Sequence, residues 1–254
     1  MSSSATTTHN IVSHAEWLQA SQQLLRKEKE LLRLNDELAR ERQQLPWERV
    51  EKSYLFDAPQ GKVSLSDLFA GRSQLAVYHF MFAADWTEGC PGCCLVTDHT
   101  NGTLEHLAAR DVSLVLVSTG PLEKLLAFKQ RMGWKLPWVS AGCADFNRDF
   151  GVTFTKEEVD SQQQIYNLDT RPPYAEENPG MSLFYKDPTG AIFHTYSTYA
   201  RGLDPFLATY VILDRAPKGR DEDQLSMPME WVRRHDQYAP VPQAQASCCH
   251  AKSH

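Results

Sequence analysis

The chain has 254 residues, of which 42% are aliphatic, aromatic or cysteine and 23% are charged. That is the composition of a globular protein rather than a disordered one. With 32 acidic against 26 basic residues the net charge is −6, the wrong sign for gripping nucleic-acid phosphates. No run of about 18 apolar residues exists to cross a membrane. Neither a nucleic acid nor a membrane is therefore an expected partner. Met1 to Asn10 is rich in Ser and Thr but lacks the basic start and apolar stretch of a secretory signal. The expected address is cytoplasmic, where six cysteines are reactive, metal-binding or buried rather than a disulfide framework.

Residues 1–12 are expected to be disordered. Ser13 and Glu16 have capping-box spacing, with Val12 and Trp17 placed as a hydrophobic staple. They predict a long helix from His14 to about Gln44, within a segment spanning 13–45. Trp17, Leu18, Leu24, Leu25, Leu31, Leu32, Leu38 and Leu45 give it one apolar stripe. Arg26 with Glu30, Arg33 with Glu37 and Asp36 with Arg40 lace the other face. The stripe suits packing on the protein's own domain. A homodimer through this helix is the alternative, opposed by polar Ser21, Glu28 and Asn35 on the seam. Pro46 stops the helix.

A single domain is predicted over 46–216. Gln74 to Phe82 and Val112 to Ser118 are apolar runs of buried-strand type, with a helix between them from about Pro91 to Arg110, kinked at Asn101-Gly102. Pro121 opens the next helix, ending at Met132-Gly133. Trp138 to Ser140 is a short strand and Asp145 to Phe150 a helical turn. A polar insert without clear period covers about 153–178. Met181 to Lys186 and Ala191 to Ser197 flank the turn sequence Asp187-Pro-Thr-Gly190, which predicts a hairpin. A helix from about Leu203 to Leu213 follows, and 217–254 reads as a mostly irregular tail. Strands alternating with helices, closed by a hairpin, predict an α/β sandwich with a mixed central sheet.

The chemistry concentrates in Asp85-Trp-Thr-Glu-Gly-Cys-Pro-Gly-Cys-Cys94. Cys90 and Cys93 form a C-x-x-C pair directly after a strand and at the start of a helix. Unpaired N–H groups and the positive dipole end of that helix favour thiolate over thiol. Cys90 is thereby the expected nucleophile, and Cys93, one turn along, the thiol that closes a disulfide. Pro91 suits the first helical turn. The second C-x-x-C or H-x-x-x-H of a structural zinc site does not occur between Leu95 and Ser247.

Gly61-Lys-Val-Ser-Leu-Ser-Asp-Leu-Phe69 and the strand after it resemble the entry of peroxiredoxin-type members of the thioredoxin superfamily. Asp85-Trp86-Thr87 before Cys90-Pro91 resembles the peroxidatic-cysteine loop, and Leu136 to Val139 and Asp149 to Val152 resemble later segments. More specifically, the chain is identified as similar to the thioredoxin-like family catalogued as domain of unknown function 899. Ser13 to Trp17, Pro46-Trp47, Tyr78 to Phe82, Trp86 to Cys93 and Phe193 to Gly202 carry that likeness, which covers about Ile11 to Arg220.

The resemblance implies a thioredoxin-like fold and a dithiol–disulfide oxidoreductase; no nucleotide or flavin fingerprint is visible, so no bound organic cofactor is expected. Its partners would be an oxidised thiol or disulfide substrate and a reducing dithiol. Thr87 would orient Cys90, and Trp86, Pro91, Gly92 and Arg201 would face the substrate, with Arg201 supplying positive charge. Two departures argue against peroxidase activity: Ala83 stands where the loop would have proline, and Pro179-Gly180-Met181 where an arginine is expected. The alternative is a copper or zinc protein, since Cys90 and Cys94 have the C-x-x-x-C spacing of copper-delivery relatives. Cys90, Cys93 or Cys94 with His79 would then be the ligands. Cys143 could be a distant partner thiol, and Cys248-Cys249-His250 a soft-metal tail.

Overall fold

The computed structural model describes residues 9–142, 145–168 and 172–239. Cys143, the first eight residues and the Cys248-Cys249-His250 tail lie outside them. The chain divides into two units, residues 1–46 and 47–254. In the first, helix α1 covers His14–Gln43. The Glu16 backbone N–H donates to the Ser13 hydroxyl, and the Ser13 N–H donates to the Glu16 carboxylate at 2.9 Å. The capping box predicted from Ser13 and Glu16 therefore sets the start of the helix.

In the second unit, strands β1 (Glu48–Arg49), β2 (Leu55–Ala58), β3 (Gly61–Ser64), β4 (Gln74–His79), β5 (Val112–Ser118), β6 (Trp138–Ser140), β7 (Gly180–Lys186) and β8 (Ile192–Tyr199) form one sheet. Their order across it is β1-β8-β7-β4-β5-β6-β2-β3. β4, β5 and β6 are parallel, whereas β7 runs antiparallel to β4 and β8 antiparallel to β7. The helices are α2 (Pro91–Thr100), α3 (Leu104–Ala108), α4 (Leu122–Arg131), α5 (Phe146–Asp149), α6 (Lys156–Ser161) and α7 (Ala208–Leu213).

Leu75 to Phe82 is buried throughout because both faces of the sheet are covered. The period of two then divides neighbours between two cores. Ala76, Tyr78 and Phe80 pack with Cys93, Cys94 and Val96 of α2 and Leu125 and Phe128 of α4. Leu75 and Val77 pack on the other side with Phe56, Phe146 and Phe184. This is the thioredoxin-like α/β sandwich with a mixed central sheet that the sequence predicts.

The predicted helix over Pro91–Arg110 is two helices, because Asn101-Gly102 breaks it rather than kinking it. The predicted helix over Leu203–Leu213 is a 3-10 stretch, Ala200–Phe206, followed by α7. Pro205 lies inside the first, and Leu207, at φ −101° and ψ 80°, separates the two. The insert is less irregular than its composition suggests. Thr153 and Glu177 pair as an antiparallel bridge at its base, and Thr155 with Glu158 forms a capping box opening α6. Within it, Tyr166 is fully buried against Val152 and Tyr199. The tail beyond residue 217 has one regular element among the described residues, a 3-10 turn at His235–Gln237. Part of its described stretch is nonetheless packed, with Val232 buried and Met229 and Trp231 half-buried against the first core.

His79 shows how the second core accepts polar groups. Its Nδ1 lies 2.9 Å from Asn147 Oδ1 and its Nε2 2.9 Å from Ser182 Oγ, and its ring stacks on Phe146 and Phe150. Burial pushes its pKa down to about 4. A base whose pKa is depressed on folding adds stability above its ordinary value, and that contribution disappears as pH falls through the depressed one. Between pH 6.5 and 4 the fold should lose about 3 kcal/mol through this residue. Urea denaturation across that range should show a steeper loss for the wild type than for His79→Gln. Equal slopes would contradict the assignment.

Candidate active site

β4 ends at His79, and an irregular loop of residues 80–89 leads to Cys90, the N-cap of α2. Two hydrogen bonds fold the loop back on itself. The Cys90 N–H donates to the Met81 carbonyl at 3.1 Å, and the Met81 N–H donates to Cys93 Sγ at 3.4 Å. Gly89 has to be glycine for this path, because a Cβ there would approach the buried Phe80 ring to 2.6 Å. Pro91 occupies the first helical turn, where the missing N–H costs nothing.

Cys90, Cys93 and Cys94 are all free thiols. Cys90 is half-buried, whereas Cys93 and Cys94 are fully buried. The pKa of Cys90 falls to about 7, chiefly because the Cys93 thiol faces its sulfur as a hydrogen-bond donor. Burial opposes this, while the Cys93 and Gly92 N–H groups and the Arg234 guanidinium add to it. The pKa of Cys93 moves the other way. Burial raises it most, and the neighbouring Cys90 sulfur adds to the rise. The Tyr78 hydroxyl also faces Cys93. The pair therefore holds an anion on the accessible sulfur and a proton on the inner one.

Gly92 adjoins Cys90, with Cys90 Sγ 3.8 Å and Met229 Cε 3.3 Å from where its Cβ would be. Trp86 is half-buried against the same core, and its carbonyl accepts from Lys124 Nζ at 2.9 Å. Thr87 is exposed and has no hydrogen bond among the described residues, so nothing in the geometry supports its predicted orienting role. Arg201 is highly exposed and pairs with Asp204 at 3.1 Å. The predicted positive charge comes from elsewhere.

The metal set does not converge. Tyr78 faces the thiols, so His79, the next residue in β4, faces the opposite core, where both its nitrogens are engaged. Cys94 is packed inside the first core, and burial raises its pKa. No group of three or more His, Cys, Asp or Glu is placed to hold a metal ion among the described residues.

Arg234 at the site and the buried carboxyl of Glu177 carry no sequence signal. Arg234 is the nearby cation, 145 positions beyond the Gly89 carbonyl it binds. Glu177 is a buried carboxyl held by the Thr119 and Thr153 hydroxyls at 2.9 and 3.3 Å, and burial raises its pKa to about 7.

The bacterial family of unknown function designated DUF899 matches residues 6–238. The chain belongs to that family. No curated protein matches it significantly. Among solved structures it is similar to peroxidoxin BcpB of Mycobacterium tuberculosis, at 18% identity and a TM-score of 0.43, over 65% of this chain and 95% of that one. The bacterioferritin comigratory protein of Xanthomonas campestris gives 18% and 0.42, over 65% and 94%. The mitochondrial 2-Cys peroxiredoxin of Plasmodium falciparum gives 14% and 0.39, over 66% and 94%. No helix among the described residues is long and apolar enough to cross a membrane.

In the reduced native protein, iodoacetamide should modify Cys90 with an apparent pKa near 7, while buried Cys93 and Cys94 react only after denaturation. Peptide mapping of the alkylated protein reads both. Faster labelling of Cys93 than of Cys90 would contradict the assignment of roles.

Proposed function

We propose that this protein is a cytoplasmic thiol–disulfide oxidoreductase in which Cys90 is the nucleophile and Cys93 the resolving thiol. The observation that carries this is the opposite bias on two thiols one helical turn apart, downward on the half-exposed one and upward on the buried one.

The Cys90 thiolate attacks one sulfur of a disulfide. The S–S bond breaks, and the other half departs as a thiolate that takes a proton from solvent. Cys90 is then neutral, bonded to substrate, and its charge no longer opposes ionisation of Cys93. Cys93 loses its proton and attacks the Cys90 sulfur, expelling the second half as a thiolate, which is protonated in turn. The substrate has gained two electrons and two protons, and the protein holds a Cys90–Cys93 disulfide. A reducing dithiol partner restores it by the reverse exchange.

Cys93→Ser keeps the nucleophile and removes the resolving thiol. Incubated with bis(2-hydroxyethyl) disulfide, it should accumulate a stable mixed disulfide on Cys90, read by intact mass. Cys90→Ser should form none at pH 7. An adduct on Cys93 in Cys90→Ser, or no adduct in Cys93→Ser, would overturn the proposal.

A further inference from the structure

Three consecutive residues of the C-terminal segment are tied to the elements that build the dithiol site. Asp236 accepts from Arg131 of α4 at 2.7 and 3.2 Å. His235 Nδ1 lies 2.8 Å from Asp98 Oδ1 of α2. Arg234, between these anchors and buried Val232, reaches into the loop before Cys90. Its Nη2 and Nε both donate to the Gly89 carbonyl, at 2.7 and 3.1 Å, and its Nη1 pairs with Glu88 at 2.8 Å. The Arg234 side chain is only 13% exposed.

From this geometry we infer that Arg234 is a positioning residue for the Cys90 thiolate, supplied to the dithiol by the C-terminal segment. This rests on the reading of Cys90 as the nucleophile. The Gly89 carbonyl belongs to the peptide unit whose N–H is that of Cys90. A planar fork closing on that oxygen fixes the unit while its N–H holds Met81. With the peptide fixed, Cys90 keeps the cap conformation, φ −56° and ψ 131°, in which the Gly92 and Cys93 N–H groups address its sulfur. The fork also brings a largely buried cation toward the sulfur. Other titratable groups surround the pair, and Arg131 of α4 acts on the neighbouring Cys94. Cys93 and Cys94 lie on its own helix, Tyr78 faces the pair from β4, and Asp98 lies further along α2. Glu88 tempers the cation and is itself shared with Arg131.

The test is the rate of iodoacetamide labelling of Cys90 against pH, with thermal melting in parallel. In Arg234→Gln the apparent pKa should rise by about 0.5–1 unit, slowing labelling at pH 6 by about three- to tenfold and leaving the rate at pH 10 within about twofold. Arg234→Lys keeps the charge but cannot span Gly89 and Glu88 together, so it should fall between Arg234→Gln and wild type. A residue that only holds the fold together would lower the melting temperature without moving the titration. Glu88→Gln supplies the opposite sign and does not depend on Arg234→Gln folding: less neutralised, Arg234 should speed labelling at pH 6. An unmoved titration in folded Arg234→Gln, or no acceleration in Glu88→Gln, would overturn the inference. A wild-type Cys90 that titrates like a free thiol, near 8.5, would instead overturn the nucleophile assignment, so the two failures are distinguishable.

Discussion

The Cys90 N–H bonds the Met81 carbonyl while the Met81 N–H bonds the Cys93 sulfur, and the rest of the site depends on this reciprocal clasp. It joins the end of a buried strand to the first turn of a helix and leaves no freedom in how the two thiols face each other. The inner sulfur accepts a backbone donor, the outer sulfur lies in the field of the Gly92 and Cys93 N–H groups, and the asymmetry between them follows from position rather than from any difference in residue type. The polypeptide can make the clasp only because the loop lies flat against Phe80 and Phe128, which Gly89 permits by having no side chain. Beneath it Phe80, Phe82, Phe128, Trp134 and Trp138 pack edge to face or tilted, with centroids 4.6 to 6.3 Å apart. Rigid rings of this kind give the thiols a firm floor.

The same strand serves two unrelated ends because its side chains alternate. Tyr78 presents a hydroxyl to Cys93, while His79 closes a polar network with Asn147 and Ser182 in the opposite core. Proximity in sequence is thus a poor guide to partnership within a strand, and the metal-ligand reading of His79 fails for that reason.

Much of the fold was legible because its signals are local. Ser13 with Glu16, the apolar runs of β4 and β5, and Asp187-Pro-Thr-Gly190 between β7 and β8 are each read from a few neighbouring residues. The Thr155-x-x-Glu158 box inside the insert is as clear a signal as the one at Ser13, but polar, glutamine-rich surroundings mask it. Of the site, the C-x-x-C pair was legible because strand, proline and helix start are contiguous. Arg234 was not, since it reaches the site through tertiary packing. No local pattern distinguishes Arg234 from its neighbour Arg233, which bonds the Glu230 and Val232 carbonyls instead. Arg201 was the more visible candidate in sequence, beside an aromatic strand, and it faces outward to Asp204.

The central claim is that Cys90 and Cys93 exchange electrons as a pair. The most direct measurement is peptide-mapping mass spectrometry of the reduced, metal-free protein, before and after one equivalent of oxidised glutathione and again after excess dithiothreitol. The account requires a Cys90–Cys93 disulfide that forms without loss of the native fold and disappears on reduction, with Cys94 unmodified throughout. Thiols that remain reduced, or a stable glutathione adduct on Cys90 that Cys93 never displaces, would contradict it.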